Sequence, residues 1–501
     1  MAIIGIDLGT TNSLAAQLDE SGSPQIIHNS EGMNLTPSVV WFNDSSKKSF
    51  KVGLEAKNNI GIEDNIYFKF KRSMGSKIKF PFFNSQITPT DLSAIILQKL
   101  KQDYEQVAGN ADAVVITVPA NFRNEAREAT LAAAKAAEID TDLLLNEPTA
   151  AALYYAYKMG KDLNGIYIIF DLGGGTLDIS VIKADGMDVE ILASEGIQSL
   201  GGEDFDEKII ELLAMKFEEK FNKKFNIDDI NFSKVEAEEI KKALSTLNEK
   251  KITIVGSGIP KTAFTITREE YEEAISKYII QMEMLCESVL VEAKIAKEQI
   301  EEIFLAGGSS RTPVVQSVLK KFFKKTPQML GNPDEAIALG AAIYAGYKAD
   351  KKILKPEQKK TVSTIKFQEV APAFFGYISL DNSNHEQNSI IIRKNAKIPC
   401  STSEPFYTLH DNQTAVNLRI TQSPIEETDP RFVRIIWNGQ LDLPPNRPKG
   451  KEVKVTYAYQ ENGVMRAEFI DSESGKKVEV DITAQSEGAE TTINIDDFLV
   501  N

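Results

Sequence analysis

Only two of the 501 residues are cysteine and three are histidine. Cys286 and Cys400 stand far apart and match no metal-ligand spacing, so they read as two reduced thiols rather than a disulfide framework or a zinc site. His28, His385 and His410 do not cluster, which sets aside a histidine-based centre. No apolar run approaches the ~18–20 residues of a membrane span. The opening Met-Ala-Ile-Ile-Gly-Ile-Asp has no positive region and meets an acid early, so a secretion signal is not expected and the chain reads as cytoplasmic. Positive charge is in deficit as well: 57 Lys+Arg against 72 Asp+Glu, a net charge of −15. Nucleic acid is therefore not the expected ligand, because phosphate backbones want clustered basic residues. What is present is 42% hydrophobic and 26% charged, an ordinary globular balance that excludes global disorder. The length accommodates about two to four domains.

From residue 1 to about 350, strand-like and helix-like segments alternate. Short β-branched runs stand at residues 3–6, 113–118, 167–170 and 303–305. Residues 91–107 put Leu92, Ile95, Ile96 and Leu100 on one helical face. The capping box Thr267-Arg268-Glu269-Glu270 predicts one long amphipathic helix running toward Lys297. This alternation predicts an α/β architecture for residues 1–348. Then Lys348, Lys351, Lys352, Lys355, Lys359 and Lys360 surround Pro356, and residues 349–368 read as an exposed interdomain linker. Beyond it the period becomes two. Val453, Val455, Tyr457 and Tyr459 alternate with polar residues, Asn462-Gly463 turns, and Met465, Ala467 and Phe469 alternate again. Ser474-Gly475 leads to Val478, Val480 and Ile482. Residues 369–484 are thus expected to form an all-β domain, and 485–501 a polar tail.

One feature repeats. Residues 3–12 read Ile-Ile-Gly-Ile-Asp-Leu-Gly-Thr-Thr-Asn, and residues 168–178 read Ile-Ile-Phe-Asp-Leu-Gly-Gly-Gly-Thr-Leu-Asp. In both, a strand ends in Asp-Leu-Gly and a second strand follows the turn. The turn does not open a helix, so it is not a dinucleotide fingerprint. A Gly/Thr-rich turn offers backbone N–H groups and hydroxyls to phosphate oxygens with nothing bulky in the way. Asp7 and Asp171 stand where Mg²⁺ would accompany a phosphate, holding its water shell rather than the ion itself. Two facing turns make a clamp for a nucleotide triphosphate and imply a duplicated domain with a cleft between its lobes. A third motif, Leu305-Ala306-Gly307-Gly308-Ser309-Ser310-Arg311-Thr312-Pro313, runs from a strand into a helix. Its glycines admit a base and ribose close to the backbone, and Arg311 can stack on the base.

These runs, with Asn146-Glu147-Pro148-Thr149-Ala150-Ala151, Leu200-Gly201-Gly202-Glu203-Asp204-Phe205-Asp206 and Asn332-Pro333-Asp334-Glu335-Ala336, resemble the signatures of DnaK-type heat-shock chaperones. That family belongs to the actin/hexokinase-like ATPases. The likeness is close over residues 1–348 and looser in the β-rich segment, where Ile390 to Pro399 and Asp411 to Val416 match the family's substrate-binding β-sandwich best. The resemblance implies a duplicated two-lobed ATPase domain, ATP/ADP and Mg²⁺ as ligands, and unfolded client segments as partners.

It also implies roles. Gly9, Thr10, Thr11 and Asn12 match the first phosphate loop, and Gly173, Gly174, Gly175 and Thr176 the second. Asp7 and Asp171 match the carboxylates that organise Mg²⁺. Lys71 falls on the family's catalytic lysine, although Lys69 and Arg72 crowd beside it and the residues alone do not choose. Glu147 matches the residue that positions the attacking water, and Asp171, Thr176 and Asp178 stand with it near the phosphates. Gly201 and Gly202 join the nucleotide contacts. Glu238, Lys241 and Ser245 share one helix face and match the adenosine contacts, with Gly307, Gly308, Ser309 and Arg311 opposite and Asp334 nearby. Pro119 and Arg127 match an allosteric proline switch and its relay arginine.

The departures are as informative. The family's acidic, Leu-rich linker is here Ile365-Lys366-Phe367-Gln368-Glu369-Val370. Leu143 replaces the arginine that contacts a J-domain co-chaperone. The short loop that starts at Lys250 and ends at Thr265 argues against the usual nucleotide exchange factor. Too few residues follow Ile482 for the family's helical lid. Three functions compete: a lidless ATP-driven chaperone, a regulatory relative that binds ATP but hydrolyses it poorly, and a small-molecule kinase. The kinase reading leaves the β-rich segment without a role.

Overall fold

The computed structural model describes residues 2–43, 49–83, 85–160, 163–227, 230, 232–256, 259–381, 383, 385–460, 465–482 and 499–500. Two six-stranded sheets organise the first 370 residues, the second taking its sixth strand from Lys397–Ile398. In the first, strand Ala2–Asp7 lies parallel to Ala111–Val118 and antiparallel to Asn12–Leu18. Leu144–Asn146 and Pro24–Ile27 extend this path at its two ends, and Thr36–Pro37 also pairs with Asn12–Leu18. In the second, Asn164–Leu172 lies parallel to Ile300–Ala306 and antiparallel to Leu177–Asp185, which continues into Asp188–Ile197. Both Asp-Leu-Gly runs therefore sit at the same kind of place, where a central strand turns back on an antiparallel neighbour. Ala2–Asp7 is buried along its whole length, which is why it reads as a continuous apolar run instead of an alternation.

Helix Ala336–Lys348 holds this arrangement together. Residues 336–346 are all buried, and its side chains share one core with both sheets and with helix Glu147–Met159. Two glycines set the spacing. A Cβ on Gly340 would stand 1.7 Å from the Ala150 carbonyl oxygen, and one on Gly5 would stand 2.1 Å from the Ala342 nitrogen. Backbone thus lies directly on backbone at both crossings.

Helix Pro89–Ala108 forms where the periodicity predicts one, capped by Thr88 and Asp91. The long helix expected after Thr267 is two: Arg268–Ala274 and Ser276–Ala293. Ile275 divides them at φ −92°, ψ 0°, its side chain fully buried, so local packing overrides a pattern that runs through the break.

The C-terminal part contains two four-stranded antiparallel sheets, one running Glu386–Ile392, Phe374–Leu380, Ala415–Ser423, Arg434–Asp442 and the other Cys400–Tyr407, Glu452–Tyr459, Met465–Asp471, Lys477–Ile482. Val453, Val455, Tyr457 and Tyr459 all point into their common core, as the two-residue period requires. The turn expected at Asn462-Gly463 lies outside the described residues.

The stretch read as an exposed linker is folded. Helix Pro356–Ser363 donates from Gln358 Nε2 to the Leu18 carbonyl (2.8 Å) and from Thr361 Oγ1 to the Gly22 carbonyl (2.9 Å). Strand Lys366–Val370 then pairs in parallel with Asp188–Ile197. Leu354 and Ile365 are buried on either side of the helix, and within it only Gln358 and Val362 are, so one sparse buried face is hidden among lysines in the composition. The expected tail lies outside the described residues except for Leu499–Val500, which pairs with Ser49–Phe50. No helix among the described residues is long and apolar enough to cross a membrane.

Candidate active site

The two Asp-Leu-Gly turns meet face to face. A Cβ on Gly174 would stand 1.7 Å from Thr11 Oγ1, and one on Gly175 would stand 2.7 Å from Thr10. Only glycines allow the second turn to close on the threonines of the first. Gly9 is required within its own turn, where a Cβ would stand 1.9 Å from the Asn12 carbonyl. Helix Gly202–Phe221 begins at the second turn, and the N–H groups of Gly202 and Glu203 donate to the carbonyls of Gly173 (3.0 Å) and Gly174 (2.9 Å). Between the turns lies a small space of about 80 Å³ bounded by Asp7, Thr10, Lys71, Glu147, Asp171 and Thr176. It adjoins a cleft of about 700 Å³.

Lys71 sits on the short turn Phe70–Ser73, and its Nζ lies 2.6 Å from Oε1 of Glu147, both side chains buried. Glu147 is the first residue of its helix with Pro148 next, a position where the helix dipole favours an acid. Asp171 and Asp178 lie opposite one another across the second hairpin. Burial first, and the neighbouring Glu147 second, push Asp7 up to about 7 against the opposing pull of Lys71 and the Thr117 hydroxyl. The same two causes raise Asp171 well above the usual carboxylate range and bring Asp178 up to about 8. Neither buried oxygen of Asp178 makes a hydrogen bond of normal geometry; Thr176 and the Asn121 backbone only temper its shift.

Four carboxylates around one ammonium leave an excess of negative charge that a divalent cation would neutralise. Among the described residues, no three acidic, histidine or cysteine side chains are grouped to hold a metal directly. Mg²⁺ fits such a site because it keeps several of its waters and takes few carboxylates.

The larger cleft gathers the other predicted residues. Lys241 donates to the Gly202 carbonyl at 2.8 Å and pairs with Asp206 at 2.8 Å. Glu238 pairs with Lys57, from the first-sheet side, at 2.6 Å. Burial alone would raise Glu238, but Lys57, Lys242 and Lys241 overcome it and hold it down to about 2. Ser245 caps the same helix at its C-terminal end. Gly307 takes φ +74°, and a Cβ on Gly308 would stand 2.5 Å from Asp334 Oδ1. Arg311 pairs with Asp334 at 3.0 Å. Ser309 abuts Gly202, where a Cβ would stand 2.2 Å from its hydroxyl. Gly201 touches the second turn itself, its missing Cβ 2.4 Å from the Gly174 carbonyl.

Pro119 and Arg127 lie behind this cleft. Pro119 is buried just past the strand Ala111–Val118. Arg127 Nε donates to the Phe122 carbonyl at 3.2 Å, and its Nη2 bonds to Asn146, the neighbour of Glu147. The folded linker strand reaches the same place: Thr149 Oγ1 donates to Glu369 Oε2 at 2.9 Å.

Several contributors escaped the sequence reading. Arg72 crosses the cleft to Asp204 at 2.7 Å, and Thr11 Oγ1 donates to Glu203 at 3.1 Å. Thr117 Oγ1 donates to Asp7 Oδ1 at 3.0 Å. A lone hydroxyl in an apolar strand was the available signal for Thr117, and adjacency to Lys71 the signal for Arg72. Lys57 had none. A protein-family model described as Hsp70 protein matches residues 3–497 of the chain.

Proposed function

The chain belongs to the Hsp70 family, which implies ATP-dependent chaperone function, and from that premise we propose that it hydrolyses ATP slowly in this cleft and couples the reaction to unfolded segments held by residues 369–484. On this reading the two sheets of the first 370 residues are duplicated halves of an actin-like ATPase. The two C-terminal sheets form a β-sandwich that grips the client.

The observation that carries the reading is the buried Lys71–Glu147 pair beneath two mutually packed glycine turns. ATP lies with its phosphates between Thr10, Thr11, Asn12 and residues 173–176. Its adenosine lies between Glu238, Lys241 and Ser245 on one side and Gly307, Gly308, Ser309 and Arg311 on the other. Asp7 and Asp171 would hold Mg²⁺ through its water shell, and the ion would supply charge neutralisation for the phosphates. Lys71 offsets the charge that spreads over the transferred phosphoryl group. Glu147 fixes that ammonium and, with Asp178 and Thr176, orients the attacking water. Pro119, Arg127 and Glu369 relay between the cleft and the β-sandwich: Glu369 bonds the first turn of the Glu147 helix, so moving the linker strand moves the catalytic carboxylate.

The second reading, a relative that binds ATP and hydrolyses it poorly as a nucleotide-gated partner, is favoured by Leu143, which packs on the core and presents no charge to a J-domain co-chaperone. Whole-chain ATP turnover measured with and without an unfolded peptide separates the two. Clear stimulation supports the chaperone; measurable ATP binding with no stimulation supports the regulatory relative.

A further inference from the structure

Residues 8–11 are braced by a pair of serines that the proposed chemistry does not use. Ser38 follows the two-residue strand Thr36–Pro37, which pairs with Asn12 and Ser13, so residue 38 is carried onto the first turn. Four contacts result. Gly9 N–H donates to Ser13 Oγ at 3.0 Å, the Ser13 and Ser38 hydroxyls lie 2.8 Å apart, Ser38 Oγ lies 2.8 Å from the Gly9 carbonyl, and Ser38 N–H donates to the Thr11 carbonyl at 2.8 Å. Ser13 is 0% and Ser38 1% exposed.

Valence fixes the direction of every proton. The Gly9 carbonyl only accepts, so the single proton of Ser38 goes to it. The Ser13 hydroxyl must then donate to Ser38, and its oxygen accepts from Gly9 N–H. The result is a closed ring that begins and ends on one residue, N–H to hydroxyl to hydroxyl to carbonyl. Each bond polarises the next, and buried hydroxyls have no water to substitute for a lost partner. Both polar groups of Gly9 are thereby committed to the brace. Thr10 and Thr11 remain turned toward Gly174, Gly175 and the small space between the turns.

We propose that Ser13 and Ser38 are positioning residues that hold the first turn in the conformation that receives phosphate. This rests on the reading of that turn as a phosphate site. The ring has a signature that separate packing contributions lack: a substitution at either serine opens it and removes the polarisation that each bond lends the next.

The test is calorimetric binding of ATP and of adenosine, with Mg²⁺ present, to the whole chain and to Ser13→Ala, Ser38→Ala and the double variant. Either single variant is expected to bind ATP about tenfold more weakly, with adenosine affinity unchanged and the double variant no worse than the singles. Unchanged adenosine binding also reports that a variant is folded, and if Ser38→Ala does not fold, Ser13→Ala tests the ring alone. Losses that add in the double variant, or that fall equally on ATP and adenosine, would overturn the positioning role. If the unmodified chain binds adenosine as tightly as ATP, the phosphate reading fails with it.

Discussion

Among the described residues, Lys71 is the sole cation paired with Glu147 amid three further buried carboxylates, so its removal has a sharp consequence. Lys71→Ala is expected to lower ATP turnover by about a hundredfold or more while nucleotide binding persists, since one preorganised charge is typically worth ~10²–10³ in rate. Single-turnover hydrolysis beside a binding titration checks it; turnover within a few-fold of the unmodified chain would show that Lys71 is not the catalytic cation. The raised carboxylates make a second prediction. Asp7 and Asp178 ionise near 7 and 8 when folded, above the ~4 of an unfolded carboxylate, so the native state binds more protons than the unfolded one. Without nucleotide and Mg²⁺, stability should fall as pH rises from about 4 to about 8, and Mg²⁺-nucleotide should flatten that slope. Denaturation midpoints across this range decide it. At this scale the repeated Asp-Leu-Gly runs were legible because backbone-approach sites demand glycine and leave a motif. Lys57, Ser38 and Thr117 were not, because each acts through a partner far away in the chain.

Helix Ala336–Lys348 shows what an element can hide. Its burial on every side is plain from composition, but the backbone contact of Gly340 with Ala150 is a property of two helices and is invisible in either. Gly340→Ala should destabilise by about 1–3 kcal/mol through overpacking, read as a lowered Tm; an unchanged Tm would mean the two helices separate easily. The alternation of Val453, Val455, Tyr457 and Tyr459 was readable because a strand's period belongs to the strand itself. The break at Ile275 and the helix Pro356–Ser363 were not: the first is imposed by tertiary packing, and the second hides a few anchoring residues among lysines.

At the scale of the molecule, residues 393–434 are tied by charge to strand Asp188–Ile197 and to the helices Ser276–Ala293 and Asn124–Ala136. Lys394 lies between Glu195 at 2.5 Å and Glu292 at 3.2 Å, Lys397 meets Glu190 at 2.7 Å, and Arg434 meets Glu125 at 2.8 Å. Burial and then Glu292 raise Glu195 to about 7, against Lys394. Lys394→Ala leaves two acids facing one another. It should reduce peptide stimulation of ATP turnover while basal turnover is retained, and stimulation equal to that of the unmodified chain would exclude this contact from the coupling. On the proposed function, cleft and sheets work as one machine. This coupling is tested most directly by ATP turnover of the whole chain, with and without an unfolded peptide, beside Lys71→Ala. The expected result is slow hydrolysis that the peptide accelerates and that the variant loses while still binding ATP. Turnover that ignores the peptide and survives in the variant would contradict it.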